Sequence, residues 1–389
     1  MELGNFRISS NASIREEFAA SCSWFRKISS NEVKCSFQSR KSRLCTWTVR
    51  ACKSGDQLSV VEKEKHMKQE HTGLSPLVVV GSANADIYVE IERLPAPGET
   101  IAACGGRTLP GGKGANQAAC AARLSYPTFF IGQVGEDVHG NLIRDALLTC
   151  GVHLEHVNTV LEPTGHAVVM LQPGGQNSII IVGGANVSWT RPEATSSQFS
   201  LQTQQLISQA GALLLQREIP DDVNIEAANI AKNADVPVIL DAGGADTPIP
   251  KDLLQCVTVL SPNESELARL TRAPVDSLED SISAARQCQK MGVKQVLIKL
   301  GKRGSALLTE DGRTLLQPAI PTPIVLDTTG AGDTFTAAYA VALVEGQSLA
   351  KALEFASVAA SLCIQTKGAM PSMPKRKVVN ELLQQLPQQ

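Results

Sequence analysis

The sequence predicts an α/β fold, with a doubly wound and mostly parallel β-sheet between layers of helices and a small β-sheet lid. From about residue 128 onwards, short apolar runs alternate with helical segments, which is typical of parallel sheets with right-handed crossovers. The first run, Leu77 to Val80, is apolar at every position, as expected for a strand buried on both faces. Two stretches, near residues 86–100 and 165–183, have the alternation or the turn residues of more exposed strands, and they predict the lid.

Length and composition limit the possible classes of protein. The 389 residues could form one large domain or two ordinary ones, and 43% hydrophobic with 19% charged residues is typical of globular proteins. A formal net charge of −2 gives no reason to propose nucleic acid as a partner, and no apolar run reaches the roughly 20 residues of a membrane span. The 10 cysteines contain no Cys-x-x-Cys pair and the 6 histidines form no metal-type cluster, so we expect reduced thiols and structural histidines.

Residues 1–52 have the composition of an organelle transit peptide. They contain 9 basic and 4 acidic side chains, are rich in serine and lack the compact apolar segment of a secretory signal. Val49-Arg50-Ala51-Cys52 is similar to a plastid processing site, which favours the chloroplast stroma over the mitochondrion. A disordered tail without a targeting role is the alternative. Residues 53–73 are predicted to be a flexible, charged lead-in to one folded domain over residues 74–389.

The first strand leads directly to polar side chains. Ser82 to Asp86 follow it at its carboxyl end, where open α/β sheets bind ligands. Asn84 and Asp86 offer donors and acceptors that suit sugar hydroxyls. The alternative is that both residues only shape a local turn.

The lid strands come from two separate stretches. Ile87 to Ile91 alternates in polarity and stops before Pro95, as a half-exposed strand does. Residues 167–171 are apolar, and residues 178–182 are apolar after Ser178; the two runs flank a turn that begins with Pro173 and two glycines. This turn chemistry predicts a hairpin that covers the site.

A glycine-rich segment with a lysine, Gly111 to Asn116, precedes a predicted helix. Its spacing excludes a Walker phosphate loop, because Gly114 follows Lys113 and Arg107 occupies the upstream glycine position. It still brings backbone, a cation and an amide together at a helix start. We interpret it as part of a polar substrate pocket, with a plain strand–helix turn as the alternative.

The later strands end next to groups that can do chemistry. Strands are predicted at 129–132, 212–216, 236–241, 257–263, 295–301 and 305–308, and helices at 140–150, at 223–233 and from Glu264. At the carboxyl ends of these strands, Glu218 comes after Leu215, Asn263 and Glu266 come after Leu260, and Gly301 to Gly304 come after Leu300. Because parallel strands end at one edge of a sheet, these groups are expected to lie close together.

The segment Asp327 to Phe335 carries the strongest functional signal. Gly330-Ala331-Gly332 stands where a proline-punctuated loop becomes an alanine-rich helix that ends at Gly346. The first N–H groups of a helix have no partner within it and favour anions, and glycine allows close approach. Asp333 places a carboxylate beside this anion site, where it could take a proton from a hydroxyl that attacks a phosphate. A chance Gly-x-Gly at a helix start is the alternative.

In combination these motifs resemble the ribokinase-type (pfkB) family of carbohydrate kinases, over about residues 76–385. The resemblance rests on Gly81 to Asp86, Gly111 to Asn116, Asn263-Glu264-Ser265-Glu266, Asp327 to Asp333 and Lys367 to Ser372. It implies a phosphotransferase with an alcohol acceptor, with ATP and D-ribose as substrates and D-ribose 5-phosphate as product. Another sugar or nucleoside kinase of the family, such as a fructokinase, is the alternative, although fructokinase-type members tend to lack the Lys113 equivalent.

The resemblance also implies individual roles. Asp333 would be the general base, and the backbone N–H groups of Gly330, Ala331 and Gly332 would form an anion hole. The sugar would be bound by Asn84, Ala85, Asp86, Gly112, Lys113, Gly114, Ala115, Asn116, Glu218 and Asp333. ATP would be bound by Asn263, Lys299, Leu300, Gly301, Lys302, Arg303, Gly304, Gly332, Asp333 and Ser357.

Two ions and a second subunit are implied in the same way. Mg²⁺ would arrive with the ATP phosphates, with Glu266 as a further contact. K⁺ would act as a monovalent activator, held by Asp327, Thr329, Cys363, Thr366, Gly368 and Ser372. The lid would pair two subunits into a homodimer.

Three residues are not explained by the family resemblance. Ser357 and Cys363 stand where relatives often have other residue types, and Arg217 beside Glu218 has no explanation in the sequence. A non-catalytic regulatory relative is a further alternative, but complete retention of Asp333, the anion hole and the Asn263/Glu266 pair argues against it.

Overall fold

The computed structural model describes residues 74–173, 177–190 and 197–386, together with the backbone of three strands nearer the N-terminus. The chain divides into two compact units, residues 1–72 and 73–389. In the first unit, β1 (Glu32–Gln38), β2 (Leu44–Ser54) and β3 (Gln57–Val60) form an antiparallel sheet. The sequence analysis predicted no strand here, and the proposed processing site lies within β2. The transit peptide and the lead-in stay predictions.

The second unit is built on a nine-stranded sheet in the order β16-β15-β14-β13-β12-β11-β4-β7-β8. From β8 to β14 neighbouring strands are parallel, whereas β14, β15 and β16 are antiparallel. This confirms the doubly wound, mostly parallel sheet. The strands are β4 (Leu77–Val80), β7 (Thr128–Gly135), β8 (His153–Val160), β11 (Ala212–Leu215), β12 (Val238–Asp241), β13 (Val259–Ser261), β14 (Gln295–Lys299), β15 (Ser305–Leu308) and β16 (Thr314–Gln317).

The central strand shows why its sequence is apolar throughout. All four residues of β4 have no solvent exposure. Leu77 and Val79 belong to one apolar core and Val78 and Val80 to the core on the opposite face, because successive side chains of a strand point to opposite sides. Each buried aliphatic side chain contributes about 1.5–3 kcal/mol, so both layers of helices are held to the sheet.

Helices of ordinary length cover the two faces. They are α1 (Lys113–Arg123), α2 (Val138–Cys150), α3 (Leu201–Ser208), α4 (Asp221–Asn233), α5 (Lys251–Leu254), α6 (Glu264–Thr271), α7 (Leu278–Lys290), α8 (Ala331–Val344), α9 (Leu349–Cys363), α10 (Ala369–Ser372) and α11 (Arg376–Gln385). No helix within the described ranges is both long enough and apolar enough to cross a membrane. The helix predicted to end at Gly346 is α8.

A second, four-stranded sheet has the order β10-β9-β5-β6. It comprises β5 (Asn84–Glu90), β6 (Gly105–Gly111), β9 (His166–Leu171) and β10 (Asn177–Val182). The predicted hairpin is β9 and β10, which pair antiparallel. The lid stretch near 86–100 was only partly right, because β5 ends at Glu90 and its antiparallel partner is β6. Three glycines and a proline in β6 concealed a strand that is held mainly by backbone pairing.

Candidate active site

The start of α8 has the geometry that an anion site requires. Gly330 is the residue before the helix and has φ of +80°, a left-handed conformation that glycine adopts without strain. A side chain there would also lie 3.0 Å from the Cα atom of Ala369. The first N–H groups of α8, from Ala331 onwards, therefore stand at the positive end of a long buried helix.

Asp333 lies in the first turn of α8 and is only 5% exposed. Its Oδ2 accepts a hydrogen bond of 2.9 Å from the Asn116 side chain, and its Oδ1 accepts one of 3.4 Å from Gln117. The Lys113 ammonium is 3.8 Å from Oδ1. Burial raises the pKa of Asp333 above its ordinary value, while Lys113 acts in the opposite direction. A buried carboxylate with a raised pKa is a suitable general base.

Close backbone packing puts Lys113 and Asn116 in this position. A Cβ on Gly114 would lie 2.7 Å from the carbonyl carbon of Gly81 at the end of β4. Gly112 precedes α1 with φ of +89°, and a side chain there would lie 2.6 Å from the Asn84 nitrogen. The predicted glycine-rich segment therefore packs closely between the start of α1 and the end of β4, and it is not a free loop.

Three of the predicted sugar contacts, Glu218, Asn84 and Asp86, come from the loop after β11 and from β5. Glu218 Oε2 accepts hydrogen bonds from Ser82 Oγ at 2.6 Å and from the Lys113 backbone N–H at 3.0 Å. Asn84 Oδ1 accepts a 2.7 Å bond from the Asn186 side chain. Asp86 lies on β5, and burial together with the charges of Glu218 and Asp333 raises its pKa to about 7. We call Asn84, Asp86, Lys113, Asn116 and Glu218 the carboxylate side of the site.

Asp241, at the end of β12, connects the two lysines of the site. Its Oδ2 accepts a 2.6 Å bond from Lys299 Nζ and its Oδ1 lies 3.7 Å from Lys113 Nζ. Burial opposes ionisation, but the two ammonium groups hold the pKa of Asp241 well below its ordinary value. Burial alone would lower the pKa of Lys113, but Asp241 and Asp333 raise it. Lys113 is therefore charged at neutral pH.

On the other side of Asp333 lies a cavity of about 600 Å³. We call its wall the cavity side of the site. It is formed by Asn263, Glu264, Ser265, Glu266, Lys299, Gly301, Gly304, Thr328, Gly330, Ala331, Gly332, Phe335 and Ala360, together with Lys113 and Asp333. Four predicted ATP contacts, Leu300, Lys302, Arg303 and Ser357, are not among these residues.

Asn263 and Glu266 form a reciprocal cap at the start of α6. Asn263 Oδ1 accepts from the Glu266 N–H at 2.8 Å, and Glu266 Oε2 accepts from the Asn263 N–H at 2.8 Å. Such a box satisfies two N–H groups that a helix start leaves without partners. It also fixes both side chains at the edge of the cavity.

The predicted cation contacts lie in two segments that face each other. Asp327 accepts from the Thr329 N–H at 2.9 Å and from the Gly368 N–H at 2.8 Å, and these bonds lower its pKa although burial opposes them. Cys363 Sγ lies 3.0 Å from Ser372 Oγ and 3.9 Å from the Thr329 carbonyl. The structure thus brings these five residues together, and Thr366 joins them through its N–H bond to the Cys363 carbonyl. Across the described ranges, no group of three or more His, Cys, Asp or Glu side chains could hold a metal ion.

The sequence analysis missed several residues of the site. Asp241 ends a predicted strand, so the rule that selected Glu218 and Asn263 could have selected it. Gln117 and Asn186 gave no such signal, because their partners are distant in sequence: Gln117 is 216 residues from Asp333, and Asn186 is 102 residues from Asn84.

Arg217 now has a structural explanation. Its guanidinium group is buried, pairs with Asp221 at 2.6 Å and donates to the Thr247 carbonyl at 2.6 Å. It therefore ties the loop after β12 to the segment that carries Glu218.

Comparison with known proteins gives a consistent result. The model of the pfkB family carbohydrate kinases matches residues 75–376. The chain belongs to the pfkB family. It is 61% identical over 312 residues to "Ribokinase" of Arabidopsis thaliana, a match that covers 79% of this chain and 81% of the relative. It is 34% identical to "Ribokinase" of Bacillus subtilis, with 79% and 99% covered.

Solved structures of other pfkB-type kinases have the same fold. The structure of Arabidopsis thaliana ribokinase complexed with ribose and ATP superposes with a TM-score of 0.76 at 60% identity, over 80% of this chain and 99% of that one. The crystal structure of ribokinase from Thermotoga maritima gives a TM-score of 0.71 at 32% identity, over 80% and 99%.

Proposed function

We propose that this pfkB-family protein transfers the terminal phosphoryl group of ATP to the O5 hydroxyl of D-ribose and so makes D-ribose 5-phosphate. The observation that carries the proposal is the position of Asp333. It lies between a cluster of polar side chains that suits hydroxyl groups and the cavity bounded by the N–H groups of α8.

Each side of the site would have its own task in this reaction. The carboxylates of Asp86 and Glu218 would accept hydrogen bonds from the sugar hydroxyls, and the amide of Asn84 could both accept and donate them. Asp333 would take the proton from O5 as the oxygen attacks, a contribution of typically ~10²–10⁴-fold. The N–H groups of Gly330 to Gly332 would stabilise the charge on the transferring phosphoryl group.

Substrate choice is supported by both the residues and the relatives. Lys113 and Asn116 stand beside Asp333, where the acceptor oxygen would lie. The relatives of 61% and 34% identity are both named ribokinase. A 29% identical relative of Salmonella typhi is named deoxyribokinase, so 2-deoxyribose is the most informative competing substrate, with fructose next.

Mg²⁺ is part of the proposal. The residues fit it, because the Glu266 carboxylate is held at the rim of the cavity by the helix cap and carboxylate oxygens suit hard divalent cations. Bound with ATP, the ion neutralises phosphate charge. Glu266 would contact it from the protein side.

K⁺ activation is also part of the proposal. The Asp327 carboxylate is held between two facing segments by the N–H groups of Thr329 and Gly368. Backbone carbonyls of these segments would supply further oxygen donors, which suit hard cations. Cys363, Thr366 and Ser372 would complete the surroundings. The ion would add positive charge beside the anion hole. Na⁺ has the same charge but a smaller radius and would not reach the same ligands together, so we expect turnover to fall when Na⁺ replaces K⁺.

A homodimer through the small sheet is proposed from its edge strand. Ile179, Ile180 and Ile181 of β10 are 54, 55 and 56% exposed. An apolar edge strand is a template for pairing with another strand, and a second copy of the chain would cover it. Sedimentation analysis of the wild type and of Ile180→Lys tests this. A monomeric wild type would contradict the proposal.

We place the enzyme in the chloroplast stroma, on the composition of residues 1–52. Import of the full chain into isolated chloroplasts, followed by sequencing of the new N-terminus, tests this. Import into mitochondria but not into chloroplasts would contradict the chloroplast location and support a mitochondrial one.

The experiment that tests the activity is a coupled ADP-release assay on the full chain with Mg·ATP and K⁺. Ribose, 2-deoxyribose, fructose and adenosine are compared at equal concentrations. We expect turnover with ribose to exceed the others clearly. Preferred turnover of another acceptor would keep the mechanism and change the substrate, and a folded protein that turns over none of them would contradict the kinase proposal.

A further inference from the structure

The Asp241 carboxylate lies at a junction of three elements although no predicted role included it. It has no solvent exposure. Besides Lys299 and Lys113, it accepts a 3.1 Å bond from the Thr336 hydroxyl of α8 and a 3.0 Å bond from the Gly243 N–H. The carboxylate therefore has a partner in α1, in β14 and in α8, in addition to its own loop.

Its two lysines both line the cavity but lie next to different groups of the site. Lys113 Nζ is 3.7 Å from Asp241 and 3.8 Å from Asp333, so it is shared between the buried anion and the proposed base. Lys299 lines the cavity, and its Nζ would be 3.7 Å from a Cβ placed on Gly332. One carboxylate thus holds one ammonium group at the base and another beside the anion hole.

The charge balance shows why this arrangement requires Asp241. Burying a charge is costly unless it is paired and hydrogen-bonded. Within the described ranges, Asp241 is the one acidic partner of Lys299 in an ion pair. Without Asp241, Lys299 would lose its ion-pair partner, and Lys113 would interact only with Asp333 and the other nearby carboxylates.

We propose that Asp241 is a positioning residue for phosphoryl transfer, which sets the places of Lys113 and Lys299 on either side of the path of the transferring group. The proposal rests on the proposed kinase function. Asp241 also fixes the base through α8, because Thr336 lies one helical turn after Asp333. It touches neither substrate in this role and acts through the groups that do.

The test is the Asp241→Asn variant, which keeps the shape and removes the charge. Misplacement of reacting groups by about 1 Å costs about 10²-fold in rate, so we expect kcat to fall by about that factor. The KM values for ribose and ATP should change much less than kcat, because Asn84, Asp86 and Glu218 and the helix cap keep their contacts.

The pH profile separates positioning from a merely structural role. Lys113 lowers the pKa of Asp333 and Asp241 raises it. Removing the charge of Asp241 should therefore move the acidic limb of the kcat profile to lower pH. The titratable groups that interact with Asp333 from the elements around it are Lys113 and Cys120 of α1, Asp86 of β5, Glu218 after β11, Asp241 of β12 and Cys363 of α9.

A second variant tests the direction in which the acidic limb of the kcat profile moves. Lys299→Met leaves the Asp241 charge without its closer partner, so the acidic limb should move to higher pH, opposite to Asp241→Asn. This variant is measured even if Asp241→Asn does not fold. Shifts in the same direction, or none in either variant, would overturn the proposal.

A matched control comes from the same network. Ser261 Oγ lies 3.0 Å from Thr336 Oγ1 and is fully buried, so Ser261→Ala removes a hydrogen bond without changing a charge. We expect less than about a threefold change in kcat and no shift of the profile. Wild-type turnover of ribose is measured in parallel. No turnover by the wild type would contradict the kinase function. An active wild type together with an equally active Asp241→Asn variant would contradict only the role of Asp241.

Discussion

The two sides of the site are built in different ways. On the carboxylate side, side chains from distant parts of the chain are fixed by hydrogen bonds to one another, such as Ser82 to Glu218 and Asn186 to Asn84. On the cavity side, the wall is mainly helix starts and glycine backbone, with about 600 Å³ of open space. Backbone N–H groups recognise phosphate whatever group it is attached to, so discrimination between acceptors must come from the carboxylate side.

Asp333 belongs to both sides, and its replacement should have the largest effect. In Asp333→Asn the proposed general base is lost, so kcat should fall at least ~10²–10⁴-fold. Binding of a non-hydrolysable ATP analogue, measured by calorimetry, should change less than about twofold, because the shape of residue 333 and the rest of the cavity wall are kept. Near-normal turnover would show that another group takes the proton.

A methyl group on the carboxylate side should be harmful even without a change in charge. A Cβ on Gly111 would lie 2.1 Å from Asp86 Oδ2, so Gly111→Ala must displace that carboxylate. We expect the KM for ribose to rise at least about tenfold, as one lost or misplaced polar contact costs about 1–3 kcal/mol, with little change in the KM for ATP.

The control for this variant lies in the same strand. In Gly105→Ala the new Cβ would meet the end of the flexible Glu90 side chain at 3.3 Å, and the KM for ribose should stay close to that of the wild type. Equal effects of the two variants would mean that β6 acts as a whole and not through Asp86.

The pH dependence of the two substrates should differ. Because the pKa of Asp86 is raised to about 7, the carboxylate becomes ionised, and a better acceptor for sugar hydroxyls, as the pH rises through 7. The kcat/KM for ribose should therefore increase several-fold from pH 6 to pH 8, while the KM for ATP stays nearly flat. In Asp86→Asn this step should disappear, and a step that persists would assign it to another group.

The smallest effect is expected from the helix cap on the cavity side. Asn263→Ala removes the bond to the Glu266 N–H, and losing such a cap costs about 1 kcal/mol. We expect a decrease of about 2–4 °C in Tm and a KM for ATP that rises a few-fold, with the KM for ribose unchanged. Ser265→Ala, a neighbour whose hydroxyl donates to Asn263 Oδ1 at 2.9 Å, is the control and should retain most of the stability.

The sequence predicted those features of the fold that depend on residues close together in the chain. The buried strands, the hairpin of β9 and β10 and the glycine start of α8 depend on neighbouring residues, and their prediction was confirmed. Strand β6 was missed because its backbone pairs with β5 although its residues are poor strand formers.

The site divides in the same way. Asp333 stands next to the glycines that mark it, so its environment at a helix start could be predicted. The sequence could not predict that Lys113 lies between Asp241 and Asp333. This contact depends on distances between the ends of strands and helices, which are fixed only when the sheet has assembled.

The contact between α1 and α8 has a consequence for the synthesis of the chain. Asn116 and Asp333 are 217 residues apart, which corresponds to roughly 10–40 s of translation at about 5–20 residues per second. Until α8 leaves the ribosome, the alanine face of α1, which is buried beside α8 in the finished core, lacks that cover. The nascent chain therefore carries an incomplete and unproductive pocket for most of its synthesis, and phosphoryl transfer becomes possible only when the last third of the protein has been made.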